Sequence, residues 1–170
     1  DRRCEAGQRW QWDGVDFEVL HPQARDYATA AKPNALSCVL RIAAPAAAGR
    51  CAATVLLAGD IEAAQEAALV SDHGPALAAD VLLVPHHGSK TSSTTAFLDA
   101  VGPRFALVQS GYRNRFGHPA AQVRERYRVR GTLFLASPQC GAMFWRSDNP
   151  TEVGCHRSLQ KQYWHHTASP

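Results

Sequence analysis

Val55-Leu56-Leu57-Ala58-Gly59-Asp60 and Val81-Leu82-Leu83-Val84-Pro85-His86-His87-Gly88-Ser89 are the two stretches that decide the fold. Each is a short apolar run, rich in branched residues, that stops abruptly at a residue suited to binding metal. The segment between them, Ile61 to Asp80, is Ala-rich and begins with helix-like spacing. The pattern predicts strand, helix, strand, with both strands delivering a ligand-type side chain at their carboxyl ends. In open α/β sheets that edge is where sites form. A carboxylate and two imidazoles there offer donors to a zinc-like ion, and a carboxylate can bridge two ions. A plainer reading exists for each residue taken singly. Gly-Asp after a strand often only turns the chain and caps the next helix, and adjacent histidines can form a hydrogen-bonded surface loop. Their recurrence at two successive strand ends, among neighbours that also suit a reactive site, favours a functional reading of Asp60, His86 and His87.

The chain has 170 residues, which suits one domain with a sizeable core. No apolar run approaches the length of a membrane span, and Asp1 does not open a signal peptide. A chain that begins Asp-Arg-Arg-Cys without Met is expected to be cut from something larger. The net charge of +3 is too small to diagnose nucleic-acid binding. Basic residues do gather at Arg113 and Arg115, and again at Arg124, Arg126, Arg128 and Arg130. The second group alternates along a predicted helix and its exit, so it reads as a solvated face rather than one phosphate-binding stripe. Five cysteines include no CxxC pair, which argues against a zinc knuckle. One or two disulfides are expected in an oxidising compartment, for instance Cys140 with Cys155. The odd count leaves at least one thiol over, and buried free cysteines explain the same residues equally well.

Arg9 to His21 predicts a hairpin. Trp10 and Trp12 alternate with polar residues, Asp13-Gly14 supplies the turn, and Val15, Phe17 and Val19 alternate again. Pro22 to Pro33 reads as a loop. Asn34 to Ile42 reads as a strand with Leu36, Cys38, Leu40 and Ile42 on one face, antiparallel to Thr54–Ala58. A helix is expected from Ile61 to Val70, broken at His73-Gly74-Pro75. A second should run from Thr94 to Val101, capped by Ser93 and ended by Gly102-Pro103. Phe105 to Val108 is the next strand, and a helix from Ala120 to Arg128 stops at Gly131. Thr132–Ala136 and Ala142–Trp145 are expected to close the sheet. Residues 146–170 read as an irregular tail whose Tyr163-Trp164 docks back on a body spanning 1–145.

Three strand ends therefore carry ligand-type loops: Asp60, His86-His87, and the loop that ends at His118. Hydrolysing a phosphodiester near neutral pH requires a strong nucleophile and relief of charge on the phosphate oxygens. Two divalent ions about 3.5–4 Å apart supply both. His118 fits a ligand, a general acid for the leaving oxygen, a substrate contact, or a structural histidine before proline. Ser89, Lys90 and Ser92 lie in a hydroxyl-rich loop feeding a helix amino terminus, where an anion is favoured and Lys90 adds a point charge. The plainer reading of that loop is a solvated N-cap. Arg113 and Arg115 bracket Asn114 in a loop where bidentate phosphate contact is geometrically easy. His118 and Lys90 are the catalytic candidates, and Ser89, Lys90, Ser92, Arg113, Asn114 and Arg115 the substrate contacts.

Leu56-Leu57-Ala58-Gly59-Asp60-Ile61-Glu62, Val81 to Ser89, and Ser110-Gly111-Tyr112-Arg113-Asn114-Arg115-Phe116-Gly117-His118-Pro119 resemble the metallo-β-lactamase-like C-terminal domain of the ComEC family of competence proteins. Gly7 to Pro22 and Asn34 to Leu40 are also similar to it, so the resemblance covers most of the chain up to Trp145. It implies an αββα sandwich, two divalent ions (Zn or Mn), and a nuclease acting on the DNA strand that is not imported. The single-stranded phosphate backbone would be the substrate, and the rest of a membrane channel protein the covalent partner. The domain would lie on the outer, periplasmic side of the cytoplasmic membrane. Carried over by position, Asp60 resembles a bridging carboxylate, the His86-His87 pair supplies a ligand, and His118 resembles a residue that either supports a ligand or faces substrate. One departure stands out. The early HxHxDH-type cluster of that superfamily is absent between Asp1 and Asp60. The chain is therefore expected to be an incomplete sandwich with only part of the ligand set, inactive alone, and to cover its open sheet face, for example by self-association. Two rivals remain: a non-catalytic DNA-binding or channel-gating module, and a hydrolase of the same fold acting on a small ester or phosphodiester.

Overall fold

The computed structural model describes residues 3–29, 32–46 and 52–160. Arg9–Trp12 (β1) and Val15–His21 (β2) form the expected hairpin. Asp13 and Gly14 both take positive φ, 49° and 73°, the backbone that a two-residue hairpin turn demands. A single helical turn at Asp26–Thr29 (α1) leads to Val39–Ala44 (β3), which pairs antiparallel with both β2 and Ala53–Leu57 (β4). From there the chain repeats one unit: helix Ala63–His73 (α2), strand Val81–Leu83 (β5), helix Thr95–Val101 (α3), strand Phe105–Val108 (β6), helix Ala121–Arg128 (α4), strand Leu133–Ala136 (β7). These strands run parallel to β4 and join the sheet in chain order, giving seven strands β1 to β7.

That order fixes the layering. Crossovers between parallel strands are right-handed, so a sheet that grows in one direction places every crossover helix on the same face. The covered face carries Leu56, Leu82 and Ala106 with half-buried Phe134, paired in register. Leu69 of α2, Phe97, Leu98 and Val101 of α3, and Val123 and Tyr127 of α4 pack on it in one core cluster. The opposite face is as apolar but carries no comparable layer among the described residues. Leu40, Leu57, Leu83, Leu107 and Leu135 form one row, all only half-buried, and Phe17, Ile42 and Val55 belong to the next. Leu133 is 52 % exposed and Trp12, on the edge strand, 70 %. The fold is thus a mixed α/β layered structure with helices on one side of its main sheet.

Several local expectations are corrected. The segment read as loop holds α1 and, from Pro33 to Leu36, a 3-10 turn, so the strand begins at Val39 rather than Asn34. Pro33 starts that turn because its fixed φ suits a first helical position. Helix α2 continues to His73, one turn past Val70, and stops where Gly74 takes φ +48°. Thr94, not Ser93, caps α3, its side chain accepting a bond from Phe97 N. Met143–Arg146 (β8) does not close the main sheet. It pairs with Asn149–Cys155 (β9), followed by a turn of helix at His156–Leu159 (α6), where an irregular tail was expected. Cys140, at the end of the short helix Ser137–Cys140 (α5), bonds Cys155 as anticipated, and a second disulfide joins Cys4 to Cys38. Cys51, Tyr163 and Trp164 lie outside the described residues.

Candidate functional site

The three ligand-type loops meet at the carboxyl ends of β4, β5 and β6. After β4, Gly59 takes φ +56°, and a Cβ there would stand 3.1 Å from Ser37 Cβ and 3.2 Å from the Cys38 carbonyl oxygen. Glycine is therefore required both by the turn and by the close passage of the Ser37 loop. Its carbonyl accepts from His86 N at 3.0 Å, and Asp60 N donates to Ser37 Oγ at 3.1 Å. After β5, His86 and His87 sit in the left-handed region at φ 49° and 55°. Two consecutive side-chain-bearing residues there are costly, and such strain collects at sites where the surroundings hold it in place. Gly88 closes the loop against the third one. A Cβ on it would lie 2.6 Å from Pro119 Cβ, and its carbonyl accepts from Ala120 N at 2.9 Å.

The two histidines have different environments. His87 Nδ1 lies 2.7 Å from the carbonyl oxygen of Gln109. A carbonyl only accepts, so Nδ1 carries a proton, and Nε2 is the ring nitrogen turned outward. That Nε2 faces Asp60 Oδ1 at 3.6 Å, with the two side chains 51 % and 42 % exposed. Two electron-rich atoms aimed at each other call for a proton or a cation between them. Two donors on one tetrahedral zinc would lie about 3.4 Å apart, close to the observed spacing. His86 is enclosed instead. Its Nε2 meets Asn34 Nδ2 at 3.3 Å, and its Nδ1 stands 3.4 Å from both Glu62 Oε1 and Thr91 Oγ1. Thr91 in turn donates to Glu62 Oε1 at 3.1 Å. Both ring nitrogens of His86 are thus occupied within a polar network.

His118 enters from the third loop. Its ring centroid is 6.1 Å from that of His86 and 5.7 Å from that of Phe116. Its Nδ1 is enclosed with no hydrogen-bond partner among the described residues. Desolvation first, then the neighbouring His86 and His87, push its pKa below the ordinary histidine value, so the ring stays neutral at neutral pH. Asn114 holds the loop: its Nδ2 donates to the carbonyls of Gly111 and His118, and its Oδ1 accepts from His118 N at 2.9 Å. The Asn114 amide is accordingly committed to positioning His118 rather than to contacting a ligand.

The other sequence candidates divide in the same way. Lys90, Arg113 and Arg115 are exposed around the histidine cluster. Ser89 is buried, with Oγ 3.1 Å from Thr91 Oγ1. Ser92 is fully buried, its hydroxyl directed at the carbonyls of Pro85 and Ser89, so it braces the histidine loop from within. Glu62, Thr91, Asn34, Ser37 and Gln109 are the residues that sequence reasoning left without a role. Glu62 belongs to the motif Gly59-Asp60-Ile61-Glu62 and could have been singled out there. The others act through positions that only the folded loops bring together. Of the second basic group, Arg126 turns inward and donates to the carbonyls of Ser92 and Ser93, whereas Arg124 and Arg128 are exposed as anticipated.

A metal fits this donor set in kind but not in number. Asp60 and His87 supply a carboxylate and an oriented imidazole. No cluster of three or more His, Cys, Asp or Glu side chains suited to one ion occurs among the described residues. Nor is any helix among them long and apolar enough to cross a membrane.

No protein-family model matches the chain. Over 163 residues, 96 % of the chain, it is 44 % identical to a protein of Neisseria gonorrhoeae named Competence protein ComA, and covers 22 % of that protein. It is 38 % identical over 123 residues, 72 % of the chain, to Recombination protein 2 of Haemophilus influenzae, covering 14 % of it. It is 31 % identical over 143 residues, 84 % of the chain, to ComE operon protein 3 of Bacillus subtilis, covering 17 % of it. The chain thus spans a fifth or less of the length of most of these relatives.

Proposed function

Because the chain belongs to the ComEC family of competence proteins, we propose that it is the site-bearing half of a metal-dependent nuclease domain in a DNA-uptake protein. The observation that carries the reading is the opposition of His87 Nε2 and Asp60 Oδ1 at 3.6 Å, with the His87 tautomer fixed by the Gln109 carbonyl. A backbone acceptor on the remote nitrogen is the usual way a ligating imidazole is oriented. In this reading Asp60 and His87 hold a divalent ion, Zn or Mn, and the remaining donors come from the rest of the longer polypeptide. The ion would supply Lewis acidity and an activated water. His86 stays in the Glu62–Thr91–Asn34 network and holds the loop that aims its neighbour. His118 faces the substrate across the site, and Lys90, Arg113 and Arg115 attract the phosphate backbone of a single strand. The apolar sheet face opposite the helices is the seat of the missing half of a metallo-β-lactamase-type sandwich. A face of that size left open would instead drive self-association. An extracytoplasmic position, on the outer side of the cytoplasmic membrane, accommodates both disulfides.

The test is metal content and DNA cleavage, measured on the chain and on the longer polypeptide, with Mn²⁺, Zn²⁺ or a chelator. The expected result is about two ions and cleavage in the longer form only, with D60N and H87A losing both metal and activity. H86A should lose less metal than H87A. One rival is a non-catalytic DNA-binding or channel-gating module. Salt-sensitive DNA binding by the longer form that is unaffected by chelator, without cleavage, would establish that rival instead. Cleavage of small esters but not of DNA would point to a small-substrate hydrolase.

A further inference from the structure

Beside the Asp60–His87 pair lies a cavity of about 400 Å³ lined by His87, Ser110, Asn114, Phe116, His118 and Ser137, with the backbone of Gln109 and Gly111. Its walls do not resemble a phosphate site. The aromatic wall is Phe116, 66 % exposed, whose ring is therefore open to a ligand. The His118 ring runs nearly parallel to it, 19° between planes at 5.7 Å. At the polar end, two enclosed atoms, Ser110 Oγ and His118 Nδ1, have no hydrogen-bond partner among the described residues. Enclosed polar atoms are normally satisfied, by an ordered water or by a ligand, so these two offer a ligand's polar edge two bonding positions in one cavity. Charge is arranged around the rim. The Arg115 guanidinium lies 4.8 Å from the Phe116 ring centroid and that of Arg113 5.2 Å from the Tyr112 ring.

A flat apolar face beside a hydrogen-bonding edge, under a cationic rim, is complementary to a nucleobase carried on a phosphate backbone. We infer that this cavity is a base subsite: it receives one unpaired nucleobase, of a nucleotide neighbouring the phosphate that an ion at Asp60 and His87 would hold. The base lies against the Phe116 ring, its polar edge meets Ser110 Oγ and His118 Nδ1 edge-on, and Arg113 and Arg115 take the flanking phosphates. Stacking tolerates any base because every base has a π-face, so the subsite selects single strands and frayed ends over paired duplex without reading sequence. This inference rests on the nucleic-acid reading above and names the feature of the substrate that the site grips.

The experiment compares binding of a short fluorescent oligodeoxynucleotide with that of the same oligomer carrying one abasic position, placed at each position in turn. It uses wild type, F116A and F116Y, in the chain and in the longer polypeptide, with cleavage suppressed by chelator. In the wild type, one abasic position should weaken binding about 5- to 150-fold, the range expected for one stacked base. F116A should bind the intact oligomer correspondingly less well and no longer distinguish the abasic one. F116Y, which keeps the ring, should behave as wild type, and F116A should bind the abasic oligomer as tightly as wild type does, which shows that its loss on the intact one is not one of folding. If all three bind DNA but no abasic position matters, or F116A keeps the full discrimination, the base subsite is wrong and the nucleic-acid reading survives. If no form binds DNA at all, that reading fails and this one with it.

Discussion

Replacing Glu66 by Gln should destabilise the chain by about 1–3 kcal/mol, although Glu66 touches no candidate ligand. Glu66 lies on α2 and is fully buried. Its two carboxylate oxygens accept from Ser93 N at 2.5 Å and Thr94 N at 2.7 Å, the two backbone amides where the histidine loop becomes α3. Ser93 sits there at φ +57°, its hydroxyl 3.1 Å from the buried Tyr127 hydroxyl, and Arg126 holds the Ser92 and Ser93 carbonyls. A carboxylate offers two acceptors to two N–H donors. Glutamine offers one acceptor and turns an NH₂ toward the other donor, leaving a buried N–H unsatisfied at a cost of about 1–3 kcal/mol. Relief from burying a charge offsets part of that. Burial raises the Glu66 pKa above 4.5, with the bonds from Thr94 and Ser93 and the Arg126 charge opposing the shift. A raised folded-state pKa means that the stabilising contribution is fully present below the unfolded value and declines as pH rises through the folded value. The deficit of E66Q should therefore be larger near pH 4 than near pH 7.5. Urea unfolding followed by tryptophan fluorescence at both pH values measures it. If E66Q equals wild type at both, or its deficit grows with pH, the reasoning is wrong.

Gly88→Ala should cost about 2 kcal/mol or more, because the new Cβ meets Pro119 Cβ at 2.6 Å while the backbone holds φ +78°; a thermal melt checks it. Asn114→Ala removes the three bonds that close the loop onto His118. It should leave global stability within about 1–2 kcal/mol but broaden the His118 ring resonances, and an unchanged His118 spectrum would refute the clamp. Breaking Cys4–Cys38 as a double serine variant opens a loop of 34 residues and should cost about 3–4 kcal/mol in the chain-entropy account. Because Cys38 adjoins Ser37, which holds Asp60 N, the same variant should also increase hydrogen exchange at Asp60. Equal exchange in both forms would separate the disulfide from the site.

Much of the fold was legible because it rests on local signals with a single structural meaning. The hairpin turn at Asp13-Gly14, the apolar runs of β4 to β7 and the stop of α3 at Gly102 each follow from one or two residues. The errors arose where a local signal was outweighed by partners distant in sequence. Ser93 has the chemistry of an N-cap, yet Thr94 takes that position. The Glu66 carboxylate, far back in the chain, occupies both the Ser93 and Thr94 amides and draws Ser93 into the interior. The tail from Arg146 looked irregular because its alternation is weak. Its order comes from pairing with β8 and from the Cys140–Cys155 bond, neither of which has a local signature.

The site divides along a different line. Residue types at strand ends identified Asp60, His86, His87 and His118, because sheet topology alone brings those ends together. The distinction between the two histidines was not available to sequence, since it depends on which backbone carbonyl each ring finds. His87 finds Gln109, at the end of the next strand, and is left with Nε2 facing Asp60. His86 finds Glu62, Thr91 and Asn34 and turns inward. Both consequences follow from the pair of left-handed residues at 86 and 87, which turns the chain sharply after β5 and so brings each ring to its own set of partners. That backbone is costly for histidine, and the surrounding loop supplies what holds it: Gly88 packed on Pro119, Ser92 bonded to Pro85, and Glu66 anchoring Ser93. The strain at the histidines and the buried charge at Glu66 are thus parts of one arrangement. The same reasoning connects them experimentally, because loosening the loop at Glu66 should let His87 relax away from Asp60 before the sheet itself unfolds.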